Sequence, residues 1–241
     1  MQALLLCAGL GTRLKHLTEN TPKALVEVSG KPLIAWNLEK LKKAGFTKVV
    51  VNVHHFAQQI KDYLRAHDNF DLDIRISDET EQLLDTGGAI KQAMSFIDTS
   101  EPLLVHNVDI LTDLDLGEMM EAHRSSKRVA TLAVRTRKTS RYLMFEEESM
   151  QLTGWTNIST GETKLSRITT LMVANYGFSG VHIVDASLFD FFPEVDVFSI
   201  IDVYLKAART SDVYAFPHEA DAWFDVGKPE SIALAEAGMF K

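Results

Sequence analysis

Residues 2–14 read Gln2-Ala3-Leu4-Leu5-Leu6-Cys7-Ala8-Gly9-Leu10-Gly11-Thr12-Arg13-Leu14, and the chain then runs on to Thr21-Pro22-Lys23. The unbroken apolar run over 2–7 suits a strand buried on both faces of a sheet. The glycines behind it let the backbone turn tightly and bring bare N–H groups close to an anion. Arg13 and Lys23 place two cations near the same spot. A buried strand, a glycine-rich turn and two flanking cations together form a cradle suited to a polyphosphate.

Working outward, Pro32 stands where a first helical turn would begin, and Leu33, Ile34, Leu38 and Leu41 recur at helical spacing until Gly45. The pattern then predicts a buried strand over 47–53, a helix over 56–65 and a short alternating strand over 72–76. A helix over 87–94 and an apolar strand over 102–106 follow, the strand ending at Asn107-Val108-Asp109. Strand–helix alternation of this kind predicts an α/β fold: a doubly wound, mostly parallel, Rossmann-like sheet with helices on both faces. The second half adds a helix over 116–125, a strand over 129–135 and an antiparallel hairpin over 142–147 and 151–155. A strand over 176–184, helices over 186–191 and 200–208, a strand over 213–216 and a helix over 229–236 complete the pattern. With no linker, repeat or low-complexity segment, 1–241 reads as a single domain in which the antiparallel insertion forms part of a substrate lid.

The 241 residues are 46% hydrophobic and 24% charged, an ordinary globular balance that argues against disorder. The formal charge of −8 argues against non-specific nucleic-acid binding, which needs surplus cations. It leaves room for an anionic small ligand, which responds to the local field. A single cysteine excludes a disulfide framework and a thiolate metal cluster, and Cys7, inside the apolar run, reads as buried and unreactive. No secretory leader and no apolar run of membrane-spanning length are present, so a cytoplasmic protein without a membrane partner is expected.

The turn Gly9-x-Gly11 lacks the third glycine of the dinucleotide fingerprint and the Gly-Lys-Ser/Thr ending of a P-loop. A plain strand–turn is the alternative, and the Arg13 and Lys23 that follow argue against it. Asp109 follows a predicted strand, at the carboxyl edge where open α/β sheets bind ligands. Asp225, in Trp223-Phe224-Asp225-Val226-Gly227, lies between the last strand and the last helix. Each taken alone reads equally well as a helix N-cap; together they are a pair able to share one divalent cation such as Mg²⁺. Asp85-Thr86-Gly87-Gly88-Ala89 is a second glycine turn, able to meet phosphate or a nucleobase edge, or simply to cap a helix. His54 and His55 lack the spacing of paired ligands and read as structural; Glu146-Glu147-Glu148 reads as a solvated hairpin end.

The segments 6–14, Thr21-Pro22-Lys23-Ala24-Leu25, Gly30-Lys31-Pro32-Leu33-Ile34, Asp85-Thr86-Gly87-Gly88, Asn107-Val108-Asp109 and Trp223-Phe224-Asp225-Val226-Gly227-Lys228-Pro229-Glu230 resemble, in order and over essentially the whole chain, the sugar-1-phosphate nucleotidyltransferases. The compact length and the segment 58–88 look most like the N-acetylmuramate-1-phosphate uridylyltransferase branch. The resemblance implies the nucleotide-diphospho-sugar transferase type of sheet and the partners NTP and sugar 1-phosphate, in a monomer or small homo-oligomer. It implies that Ala8, Gly9, Gly11 and Thr12 wrap the nucleotide, that Arg13 meets the β- and γ-phosphates and Lys23 the α-phosphate, and that Gly87, Gly88 and Asn107 face the nucleoside. Asp109 and Asp225 would hold Mg²⁺. The sugar phosphate would attack the α-phosphorus in line, with no general base required because the nucleophile is already an anion.

The chain departs from the family pattern at His16, Val108 and Lys228, and it has no Glu-Lys-Pro segment for the sugar phosphate, leaving Arg141 or Lys138 as the replacement. The rival readings are a cytidylyltransferase acting on a non-sugar phosphate such as phosphocholine, a silent nucleotide-sensing homologue and, more distantly, an NAD-dependent dehydrogenase. Retention of Arg13, Lys23, Asp109 and Asp225 argues against silence.

Overall fold

A computed structural model describes residues 1–126 and 128–239. The first half lays down β1 (Gln2–Leu6), the short strands β2 (Glu27–Val28) and β3 (Lys31–Pro32), helix α1 (Leu33–Lys43), β4 (Lys48–Val53) and helix α2 (Ala57–Ala66). Next come β5 (Asp73–Asp78), helix α3 (Asp85–Ala93), β6 (Leu103–Asn107), β7 (Ile110–Thr112) and helix α4 (Leu116–Arg124). The second half contains β8 (Ala130–Arg135), β9 (Arg141–Glu146), β10 (Leu152–Asn157), β11 (Glu162–Leu165) and the long β12 (Val173–Val184). Helix α5 (Ile200–Ala207), β13 (Val213–Pro217), β14 (Trp223–Asp225) and helix α6 (Pro229–Met239) follow.

Among the described residues, ten strands join in one sheet ordered β11-β10-β9-β12-β6-β1-β4-β5, with β8 and β13 attached through β12. β1 lies parallel between β4 and β6, and β5 extends the parallel set. This central set is the doubly wound sheet that the strand–helix alternation predicts. The antiparallel share is larger than a single hairpin, because β11 pairs with β10 and β12 carries β9, β6 and β8.

Side chains alternate across a strand, so β1 feeds two cores. Ala3 and Leu5 pack on one face with Ile34, Leu38 and Leu41 of α1, Ile60 and Leu64 of α2, and Met119 of α4. Leu4 packs on the other with Ile90 of α3 and Val203 and Tyr204 of α5. Each fully buried leucine here contributes about 1.5–3 kcal/mol of apolar transfer, so β1 is pinned from both sides. Helix α1 stops where Gly45 takes a φ of +86°, a conformation that costs a glycine little.

Candidate active site

The loop after β1 leaves the sheet at its carboxyl edge. Asn52 of β4 sits beside it, because Leu6 is in register with Asn52. The buried Asn52 Oδ1 accepts from the amides of Cys7 (2.5 Å) and Ala8 (3.3 Å). Its Nδ2 donates to Glu79 Oε1 (2.7 Å), and Glu79 Oε2 accepts from the Leu84 amide (3.2 Å). Burial pushes the Glu79 carboxyl pKa upward, and its hydrogen bonds pull the other way. Sequence reasoning missed this pair; the one signal was an amide ending an otherwise apolar strand. Cys7 is buried beneath the loop, its thiol pKa driven up by burial and then by the charge of Asp109, which makes it unreactive.

Gly11 takes a φ of +66°, and a Cβ there would lie 2.9 Å from the Thr18 methyl. The Gly11 carbonyl accepts from the Leu14 amide (2.8 Å) and the Thr18 hydroxyl (3.0 Å), which starts the 3₁₀ segment carrying Arg13. Lys23 opens a second 3₁₀ turn after Pro22. The two cations converge: Lys23 Nζ donates to Asp109 Oδ2, and Arg13 Nη2 lies 3.9 Å from that same oxygen and 3.9 Å from Asp225 Oδ1. Lys23 and Asp109 are little exposed, at 11% and 13%, whereas Arg13 and Asp225 are open to solvent at 54% and 38%.

The carboxylates flank one guanidinium although they stand 116 positions apart in the chain, because β14 pairs antiparallel with β7 and sets Asp225 opposite Ile110. The Val226 amide then donates to the Asp109 carbonyl (2.8 Å). Asp225 Oδ1 accepts from the Gly227 amide (3.0 Å) and does not cap α6, and a Cβ at Gly227 would sit 2.4 Å from Arg13 Nη2. Gly227 thus makes room for the guanidinium, a role the sequence did not reveal.

A cavity of about 440 Å³ opens on this edge, lined by Ala8, Gly9, Lys23, Asn107 and Asp109 together with Glu79, Leu83, Asp85, Thr86 and Ala89. Gly87 and Gly88 are not on its wall. Their amides donate to the Phe198 carbonyl (2.9 and 3.3 Å), and a Cβ at Gly88 would meet the Asp196 carbonyl at 2.0 Å. These glycines let α3 press against the 196–198 segment, while Asp85 and Thr86 beside them reach the cavity. Val108 lines the cavity as well, its amide donating to the Leu6 carbonyl (3.1 Å) and its carbonyl accepting from Asn37 (2.9 Å). Arg141 lies elsewhere, in a separate cavity with Trp155, Lys164 and Asp202. His54 bonds to the Glu79 carbonyl (2.6 Å), a structural use, and Glu146 closes the β9 hairpin onto Ser149 (2.7 Å).

The nucleotidyl transferase family profile matches residues 2–240. The chain belongs to the nucleotidyl transferase family. An N-acetylmuramate alpha-1-phosphate uridylyltransferase of Caulobacter vibrioides is 32% identical over 98% of this chain and 96% of its own length. The enzyme of that name from Neisseria meningitidis is 44% identical over 48% of this chain and 49% of its own. The catalytic subunit beta of a Dictyostelium discoideum mannose-1-phosphate guanylyltransferase is 29% identical over the full chain, which spans 64% of that relative. Among solved structures, a UDP-glucose pyrophosphorylase complexed with UDP-glucose superposes with a TM-score of 0.81 at 18% identity, covering 99% of this chain and 98% of that one. HddC from Yersinia pseudotuberculosis, complexed with GMP-PN, superposes at 0.75 and 23% identity, covering 100% and 99%. At these identities the superpositions speak for the fold. No helix among the described residues is long and apolar enough to cross a membrane.

Proposed function

We propose that the chain is a sugar-1-phosphate nucleotidyltransferase that joins an NTP to a sugar 1-phosphate and releases pyrophosphate, working as one catalytic domain over 1–241. The observation that carries this reading is the convergence of Lys23, Arg13, Asp109 and Asp225, of which Lys23 and Asp109 line a nucleotide-sized cavity and Arg13 lies 3.9 Å from both carboxylates. An oxygen of the acceptor phosphate forms a bond to the α-phosphorus as the bond to the α–β bridging oxygen breaks, and pyrophosphate leaves with the electron pair. The nucleophile is already ionised, so the chain needs to position and to stabilise charge, not to move a proton.

Lys23, nearly buried, meets the α-phosphate, where negative charge builds in the transition state. Arg13, more open, meets the departing phosphates. Asp109 and Asp225 supply hard oxygen ligands, and among the described residues no group of three His, Cys, Asp or Glu forms a complete metal cage. A pair of carboxylates that needs phosphate oxygens to finish the shell suits Mg²⁺. When bound there, Mg²⁺ would neutralise the triphosphate. Asp109 currently faces the two cations, so Lys23 and Arg13 hold the carboxylate oriented until the nucleotide brings its own charge.

UTP with N-acetylmuramate 1-phosphate is the first substrate pair to try, on the strength of the Caulobacter and Neisseria relatives; GTP with mannose 1-phosphate follows from the Dictyostelium one. Pyrophosphate release is to be measured across nucleotides and sugar 1-phosphates in Mg²⁺. Turnover with a sugar 1-phosphate is expected, and no turnover with any pair would sink the proposal. Turnover with phosphocholine and CTP alone would move it to the rival acceptor class.

A further inference from the structure

We infer that Arg137 holds the phosphate of the incoming sugar 1-phosphate. The inference rests on the transferase reading above and deepens it at the acceptor side. β8 is antiparallel to β12, and β12 is antiparallel to β6, so β8 runs with β6 and β1. Its carboxyl end opens on the edge that carries Ala8 and Asp109, and Arg137 stands two residues beyond that end.

Arg137 is held in place by its neighbours. Its guanidinium stacks on the Trp223 ring, 4.9 Å from the centroid, and Nη2 donates to the Phe178 carbonyl (3.1 Å). Trp223 is fixed in turn by its indole N–H on the Ser179 carbonyl (2.9 Å). Beneath the arginine lies Gly177, where a Cβ would fall 2.6 Å from Nε and 2.7 Å from Cγ, so any side chain there would displace it. Trp223 and Asp225 stand two apart on β14, so their side chains share one face of that strand. The stack thus holds the cation beside the strand that carries Asp225.

Arg135 stacks on the same ring at 5.8 Å but is tied to the carbonyls of Asp221 (3.1 Å) and Glu219 (3.5 Å). Among the described residues, Arg137 gives one hydrogen bond, from Nη2 to the Phe178 carbonyl; its Nε is enclosed against Gly177, so the N–H groups left for a ligand are those of the Nη end. A half-buried, incompletely paired guanidinium held in one orientation suits a phosphomonoester, which it engages with parallel N–H donors. Arg141 lines a separate cavity whose wall includes none of Lys23, Asp109 and Asp225.

The test uses the full chain and the variants Arg137→Ala, Arg137→Gln and Arg137→Lys, with thermal midpoints as the folding control. KM for the sugar 1-phosphate is expected to rise about tenfold or more in Arg137→Ala, with a smaller rise in Arg137→Lys. NTP affinity, measured by calorimetry without acceptor, should stay within about twofold. Where the alanine variant fails to fold, Arg137→Gln, which keeps a planar group on the Trp223 ring, is read in its place. An acceptor KM that does not move, or NTP binding that weakens equally, overturns the assignment while leaving the transferase reading intact. A wild-type chain that turns over no pair overturns both.

Discussion

Lys23 and Arg13 address the same oxygen of Asp109 from different depths, and the difference predicts different kinetics when each residue is changed. Lys23 is nearly buried against Asp109, where a fixed charge acts through little water. Lys23→Ala is expected to lower kcat by roughly 10²–10³, the scale seen when a preorganised charge donor is removed; a change confined to KM for the NTP would contradict a role in the transition state. Asp109→Ala and Asp225→Ala should each lose most turnover, and a variant retaining near-full activity would remove that residue from the site. Asn52→Ala tests a residue of another kind. It would strand the Cys7 and Ala8 amides and Glu79 Oε1 in a buried place, at about 1–3 kcal/mol per lost partner. Urea melts should show that loss, and an unchanged midpoint would mean that water replaces the amide. That Arg13, Lys23, Asp109 and Asp225 come together was legible in the sequence because Asp109 and Asp225 stand at strand ends and the two cations follow the glycine turn behind β1. Asn52 and Glu79 were not, because their meaning depends on β4 lying between β1 and β5, a pairing no local pattern states.

Helix α3 shows the same contrast for whole elements. The glycine pair that opens it was visible, as was the helix, but not what the glycine amides bond to, since Phe198 is more than a hundred residues away. Gly88→Ala would bring a Cβ to within 2.0 Å of the Asp196 carbonyl and force α3 away from that segment. Overpacking of this kind costs about 1–3 kcal/mol. Because α3 also carries Thr86 and Ala89 to the cavity, KM for the NTP should rise together with the fall in Tm. A Tm loss with unchanged nucleotide affinity would separate packing from binding here. The elements that periodicity missed are the shortest ones: β2 with β3, β7 with β14, and β11. Strands of two to four residues hold too little pattern to read, and they form because tertiary neighbours pair them. β7 with β14 is the consequential omission, since that pairing sets Asp225 beside Asp109.

Across the whole molecule, the buried histidines set the response to acid. His106 on β6 and His182 on β12 are enclosed by the sheet, His106 giving its Nδ1–H to the Asn107 carbonyl (2.9 Å) and His182 sharing a hydrogen bond with the Tyr204 hydroxyl. Burial drives their pKa values down to about 4 and about 3. Burial likewise lowers those of His123 and His218. In the unfolded chain an ordinary histidine titrates near 6.5, so as pH falls below about 6.5 the unfolded state binds protons that the fold refuses. Stability therefore rises with pH through this window and levels off above it. Near pH 5, His106 and His182 should each withdraw about 2 kcal/mol relative to neutrality. Glu79 acts in the opposite sense, because its carboxyl pKa is raised in the fold and protonating it favours the native state. One carboxyl set against four histidines leaves the histidines in control. Asp78, held at about 2 by Lys61 and Thr80, enters only in stronger acid and so does not blur the window. Guanidinium melts at about pH 7.5 and about pH 5 are expected to differ by several kcal/mol, with a His182→Gln variant losing about 2 kcal/mol of that difference. A stability that stays level between the two pH values would mean that the buried imidazoles find a proton-accepting partner in the fold.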